Sequence, residues 1–403
     1  MSSPLFDFGG DTAAADAFRE SPFALLGMLR ENQPVLALAD DLFAISRYAD
    51  VERLLKHTPG GFRRADGTPV VLPEAAPDAP LDPNDFMLLR DGPPHTRLRK
   101  LVSKGFTPRM VEGLRPAMEA ISNACIDRAI ERGELDVARD LARVVPSSII
   151  CQMLGIPLEE RERFTDWTAR LTHALGSQFA PDEALEKVGT AFEDLLAYFV
   201  DLIAERRKHP GDDLLSELIR AEEEGDRLTG SELMIQSMGL LVAGFETTIG
   251  LIGLGTRQLL RHPDDLARLR AHPGLIETAV EECLRFDPPI IGTLRVVHDD
   301  VEFHGQKIPK DGRVLAMIGA ANRDPRAYDE PDRFDVGRKG PPHWSFGGGE
   351  HFCLGAHLAR LEAQVAIGTL VRRLRGLELA DERIGWSDSL FRVPSSLPVR
   401  FEV

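Results

Sequence analysis

The sequence predicts a mainly α-helical protein with a minor antiparallel β component, and three observations carry that expectation. Apolar residues recur three and four positions apart from about Thr96 to Lys208, as in the run Phe192 to Ile203, which marks helices with one buried face. Residues 295–318 alternate and turn at His304-Gly305 and at Lys310-Asp311-Gly312, which predicts short antiparallel strands. Between Leu233 and Thr256 the only charged residue is Glu246, so one helix is apolar on nearly every side.

That helix has a defined start. Thr229-Gly-Ser-Glu232 reads as a capping box, in which Thr229 accepts from the third helical amide while Glu232 reaches back. His262-Pro263 stops it. The span is about 30 residues, or roughly 50 Å at ~1.5 Å per residue. A transmembrane helix has the same length and composition. A mid-membrane carboxylate costs several kcal/mol, however, and no second span accompanies it, so a helix crossing a large core is the expectation. A second helix is predicted from Leu275 to Phe286, ending before Pro288-Pro289. Helix returns after Cys353 and runs to about Arg375. Seven prolines between Pro69 and Pro94 read as a long loop that runs into Asp91-Gly-Pro-Pro-His95, and loops of this length are often functional.

Bulk properties narrow the function classes. The chain has 403 residues, of which 43% are hydrophobic and 28% charged, as in ordinary globular proteins. It shows no repeat and no linker, so one domain over residues 1–403 is expected. The net charge of −16 opposes non-specific binding to nucleic acid or to anionic membranes. Cys125, Cys151, Cys283 and Cys353 form no paired-cysteine motif and suit a reducing cytoplasm. The start, MSSPLFDFGG, has neither the basic end nor the apolar run of a signal or anchor.

The richest segment is Phe346-Gly-Gly-Gly-Glu-His-Phe-Cys353-Leu-Gly355. Three consecutive glycines mark backbone that bends tightly or approaches something closely. Cys353 lies between this loop and a helix start, where unpaired amides and the positive dipole end favour thiolate. The segment resembles the haem-binding loop of the cytochrome P-450 family, with Phe346, Gly349, Cys353 and Gly355 at the motif positions. The resemblance implies that family's fold, with haem between the long central helix and the helix after Cys353. It implies haem b as cofactor, with Cys353 the axial ligand of its iron and Phe346, Gly347 and Gly355 around it. Thiolate ligation pushes electron density that favours O–O cleavage. Two other readings of Cys353 stand beside this one: a buried small hydrophobe, or a zinc ligand with His343, His351 and His357 nearby.

Two further segments fit the same resemblance. Ala243-Gly-Phe-Glu-Thr-Thr248 is similar to the family's oxygen-binding stretch. It implies that Ala243 and Gly244 lie against the cofactor and that Glu246 and Thr247 form an acid–alcohol pair relaying protons to dioxygen. Gly inside a helix costs roughly 1 kcal/mol relative to Ala, and room for a small ligand is one compensation. A packing glycine with a threonine bonded back to a carbonyl is the other reading. Glu282 and Arg285, three apart on one face, resemble the family's structural Glu-x-x-Arg pair, with Arg333 of the segment Asn322–Phe334 as third member. His95, Arg99, Arg295 and His351 match positions that bind the haem propionates.

The implied activity is monooxygenation of a small hydrophobic substrate, with dioxygen as co-substrate and electrons from a separate ferredoxin and ferredoxin reductase. The enzyme is expected to be a cytoplasmic monomer. Arg97, Lys100, Lys104 and Arg109 are candidates for a basic docking face, or simply a solvated one. Phe86, Leu88, Leu240, Ala243, Ile290, Ile291, Thr293 and Phe391 are candidates for the substrate pocket, or simply core. Two positions depart from the common pattern: Glu350 replaces an apolar residue, and Glu246 the more frequent Asp. A peroxide-driven peroxygenase on the same scaffold is the first rival, opposed by Glu246 and Thr247. A non-catalytic haem sensor or a zinc-stabilised binding module is the second.

Overall fold

Helices dominate the molecule because its apolar stripes need partners of the same kind. The computed structural model of the chain describes residues 12–72, 81–176, 182–223, 228–387, 389 and 391–402. The MSSPLFDFGG start and residues 73–80 of the Pro-rich loop lie outside the described residues.

The central helix runs from Gly230 to Arg261. Thr229 caps it: the Glu232 amide donates to Thr229 Oγ1 at 3.1 Å and the Thr229 amide to Glu232 Oε2 at 2.9 Å. It is the one helix among the described residues long and apolar enough to cross a membrane, yet 72% of its apolar window is buried inside the protein. The helices Val144–Met153, Arg161–Gly176, Asp182–Lys208, Ile276–Phe286 and Ala356–Arg373 all pack against it. The last begins three residues after Cys353 and is called the cysteine helix below.

A five-stranded sheet flanks this body, ordered Val35–Ala39, Leu42–Ile45, Arg313–Ala316, Thr293–Val297 and Gly60–Gly61. Its pairings are antiparallel except for Leu42–Ile45 with Arg313–Ala316, which is parallel. No hairpin links those two strands, so no tight turn dictates their direction. The separate hairpin Val301–Phe303 with Gln306–Ile308 turns at His304 and Gly305, with φ of 52° and 80°. Positive φ at both central residues is the requirement of the turn that matches strand twist. A second core under the sheet joins Phe43, Ile45, Val51, Val314 and Trp344.

One buried ionic cluster ties helix Ile276–Phe286 to the irregular segment before the cysteine loop. Arg285 forks onto Glu282 through Nε (2.7 Å) and Nη2 (2.8 Å) and donates through Nη1 to the Asn322 and Pro331 carbonyls, each at 2.9 Å. The third member is Arg338, not Arg333. Arg338 Nε donates to Glu282 Oε1 at 3.1 Å. Arg333 contributes only its carbonyl, to Arg285 and Arg338, while its guanidinium turns outward to Glu330. The Arg333 side chain is 63% exposed, and spacing along an irregular segment does not reveal which arginine turns inward.

Arg338→Ala should therefore cost on the order of 2 kcal/mol, the scale of a lost hydrogen bond to a buried charge. Arg333→Ala should stay within about 0.5 kcal/mol of the parent. Urea unfolding of the two variants checks this, and equal losses would refute the assignment.

Candidate active site

Successive residues of the central helix point about 100° apart, so each meets a different neighbour. Ala243 is exposed and Thr247, one turn on, is half-buried, which opens one face of an otherwise buried helix. Thr248 is buried and bonds to the carboxyl of Glu362 on the cysteine helix. Burial lifts Glu362 well above the usual carboxyl range despite that bond, and its Oε2 has no partner.

Glu246 is 6% exposed. Burial raises its pKa above the ordinary value, while hydrogen bonds from Thr172 and Ser389 and the charge of Arg143 pull the other way. Its Oε2 is buried without a partner. Glu246 and Thr247 thus form no direct pair, since the acid bonds to Thr172 and Ser389. The room freed at Gly244 is not left open either: a Cβ there would lie 3.1 Å from Ile150 Cδ1. The glycine lets helix Val144–Met153 approach.

The cysteine loop is built on close contacts. The Cys353 amide donates to the Phe346 carbonyl at 2.9 Å and the Gly347 amide to the Trp344 carbonyl at 2.8 Å. Gly349 has a φ of 66°, and a Cβ on it would lie 2.2 Å from the Leu55 carbonyl oxygen. A side chain there would displace the loop. Cys353 is exposed, yet burial pushes its thiol above the ordinary value although the Gly355 amide, Arg99 and Arg360 draw it down. The helix start and its cations thus favour the thiolate, as expected, but burial outweighs them. A metal at the sulfur would reverse that balance.

Cations converge beside this loop. His95 and Arg295 are buried. The His95 and His351 rings lie 4.4 Å apart, His351 stands edge-on to Phe62 at 4.9 Å, and the Arg295 guanidinium covers Phe62 at 4.6 Å. Arg99 Nη2 donates to the Phe352 carbonyl at 2.6 Å. The carboxylate of this cluster is Asp91, 2.9 Å from His351 Nε2, and it also accepts from the Phe62 and Arg63 amides. Arg295 donates to Thr293 Oγ1 (3.2 Å) and the Leu294 carbonyl (2.8 Å) and makes no ion pair with the described residues. Burial lowers Arg295 to about 10, and burial, His351 and Arg99 lower His95 to about 4. His95 Nδ1 and His351 Nδ1 are buried without partners. Asp91 and Phe62 were missed in the sequence, because nothing local to either signals a contact with His351 or Arg295.

The remaining candidates divide. Phe86 sits against the central helix, where a Cβ on Gly239 would fall 2.4 Å from its ring. Leu88 is 42% exposed, and Ile290, Ile291 and Phe391 are half-buried. Leu240 is packed core, and Thr293 belongs to Arg295. Arg97 pairs with Glu232 at the start of the central helix. His343 and His351 are turned to Glu281 and Asp91, not toward Cys353 as a zinc site needs.

The family model Cytochrome P450 matches residues 38–272 and 274–385. Cytochrome P450 107B1 of Saccharopolyspora erythraea is 40% identical over 399 residues, 96% of each chain. 6-Deoxyerythronolide B hydroxylase of the same organism is 37% identical over 402 residues, 96% of this chain and 98% of its own. The crystal structure of P450BioI in complex with a hexadec-9Z-enoic acid ligated acyl carrier protein superposes with a TM-score of 0.87 at 35% identity, covering 96% of this chain and 100% of that one.

His95 has a lowered folded pKa, so between about 4 and 6.5 the unfolded chain binds more protons. Stability should then fall as pH drops from 6.5 toward 4. His95→Gln should flatten that part of the profile, as measured by denaturant unfolding across the window. An unchanged slope would count against a neutral, buried His95.

Proposed function

The chain belongs to the cytochrome P450 family, and from that premise we propose a haem-thiolate monooxygenase that oxidises a small hydrophobic molecule with electrons from a separate ferredoxin and its reductase. Cys353 would hold the haem b iron through its sulfur. His95, Arg99, Arg295 and His351 would hold the two propionates, with Ala243, Phe346, Gly347 and Gly355 around the ring. The residues fit the group. Two buried imidazole nitrogens lack partners, Arg295 lacks a carboxylate, and charge-assisted bonds to carboxylates are what such groups make best. The observation that carries the reading is this set of buried, unpartnered nitrogens and the unpaired Arg295 beside an accessible sulfur at a helix start.

When bound, haem supplies the oxygen chemistry: with two electrons and two protons, one atom of dioxygen enters the substrate and the other leaves as water. The chain's own residues deliver the rest. Glu246 holds its proton more tightly than an exposed carboxyl does, between the Thr172 and Ser389 hydroxyls. Its partnerless Oε2 is the atom from which a proton passes on. The Thr247 hydroxyl, on the open face with Ala243, is the hydroxyl nearest that face in sequence. It would receive the proton through solvent or through rotation of Glu246. Phe86, Leu88, Ile290 and Phe391 would exclude water and hold an apolar substrate.

The enzyme would act as a cytoplasmic single-domain monomer. Exposed Lys100, Lys104 and Arg109 offer positive surface on a chain of net charge −16, which suits an acidic electron donor.

Thr247→Ala should keep consuming oxygen while product per oxygen falls roughly tenfold or more, and Glu246→Gln should slow turnover by about 100-fold, the ordinary scale of general-acid loss. Oxygen uptake, peroxide and product measured together with a ferredoxin system check both. A peroxide-driven enzyme would be indifferent to Thr247→Ala. Cys353→Ser should abolish the red-shifted carbon monoxide spectrum of thiolate ligation, and its survival would remove the sulfur from its role. A ligand screen for the spin-state change on water displacement would identify the substrate class.

A further inference from the structure

Behind the cysteine loop stands a charge cluster that the oxygen chemistry leaves unused. Arg360, in the second turn of the cysteine helix, donates through Nε and Nη2 to Glu281 Oε1 and Oε2 at 2.6 and 2.9 Å. His343 Nε2 lies 3.3 Å from the same carboxylate. His343 Nδ1 accepts from the Ser345 amide at 3.1 Å, which assigns the ring proton to Nε2, facing Glu281. Burial pushes Glu281 up, but His343 and Arg360 outweigh it and hold the carboxyl at about 2.

The cation is held against the loop. The Arg360 guanidinium covers the Phe346 ring, 4.5 Å from its centroid, and the Phe346 carbonyl receives the Cys353 amide. Glu281 is bound twice to Arg360 and offsets part of its charge.

We propose that Glu281 and Arg360 are positioning residues that set the electron density the Cys353 sulfur lends to the haem iron, Glu281 fixing Arg360 on the Phe346 ring and partly cancelling its charge. The proposal rests on the haem-thiolate reading above. One-electron reduction of the ferric haem adds a negative charge at the iron and its sulfur. An uncompensated Arg360 favours that added charge; an uncompensated Glu281 opposes it. Both side chains are partly exposed, 29% and 42%, so water screens the effect. A pair that merely braced the loop would act differently: removing either partner would loosen the same contact, with effects of one sign.

The experiment is a spectroelectrochemical titration of the purified holoenzyme, each electron supplied by a reduced mediator dye. The wild type is first reduced under carbon monoxide. Absence of the red-shifted thiolate spectrum would overturn the haem-thiolate reading itself. With that spectrum present, E281Q should raise the ferrous-to-ferric ratio at fixed applied potential by about two- to fivefold, the scale of a partly exposed charge. R360Q should lower it by a similar factor. R360K, which keeps the charge, should stay near the wild type, and E281Q/R360Q should return toward it. The shifts should shrink as salt rises. Shifts of the same sign for E281Q and R360Q, or none, would overturn the proposal, and falling melting temperatures alone would assign the pair to bracing.

Discussion

Basic groups buried with too few partners are the constraint on which this structure turns. His95, Arg295 and His351 lie around Asp91, which already accepts from two backbone amides, and Arg99 reaches the Phe352 carbonyl beside them. Burying a cation without a counter-ion is costly, and His95 answers by staying neutral to about pH 4. Arg295 cannot escape in this way and stays charged. The fold gathers these groups from places far apart in the chain: the helix Gly92–Val102, a strand of the five-stranded sheet and the cysteine loop. An arrangement that opposes the protein's own stability is expected where an anionic ligand completes it.

The central helix shows how much chemistry one turn can separate. Ala243 is exposed and Thr247 half-buried, Glu246 is sealed between two hydroxyls, and Thr248 is bound to a carboxyl on the cysteine helix. Thr248 is thereby distinguished from Thr247, a distinction that adjacent identical residues conceal in a sequence. Gly244 serves the packing of a neighbouring helix, so the same turn also fixes how closely its surroundings approach.

What was legible in the sequence was local. The capping box at Thr229, the stop at His262-Pro263, the His304-Gly305 turn and the helix after Cys353 follow from residues within a few positions of one another. What was not legible depended on distant parts of the chain. Arg333 and Arg338 lie five apart in an irregular segment, and only the folded backbone turns Arg338 toward Glu282. The direction of the pairing between Leu42–Ile45 and Arg313–Ala316 has no local signature. A helix start lowers a thiol in isolation, but at Cys353 burial overrides it.

That one parallel pairing bears on how the molecule is made. Strand Leu42–Ile45 is buried at every position, and its partner Arg313–Ala316 lies about 270 residues further along. On a ribosome adding roughly 5–20 residues each second, the early strand waits on the order of half a minute for a surface to join. Contacts so remote in sequence slow folding and leave apolar edges open to the wrong neighbours. Arg295, on the strand beside Arg313–Ala316, is set in place only once that late closure occurs, so the nascent chain cannot complete the cation cluster until most of it has been synthesised.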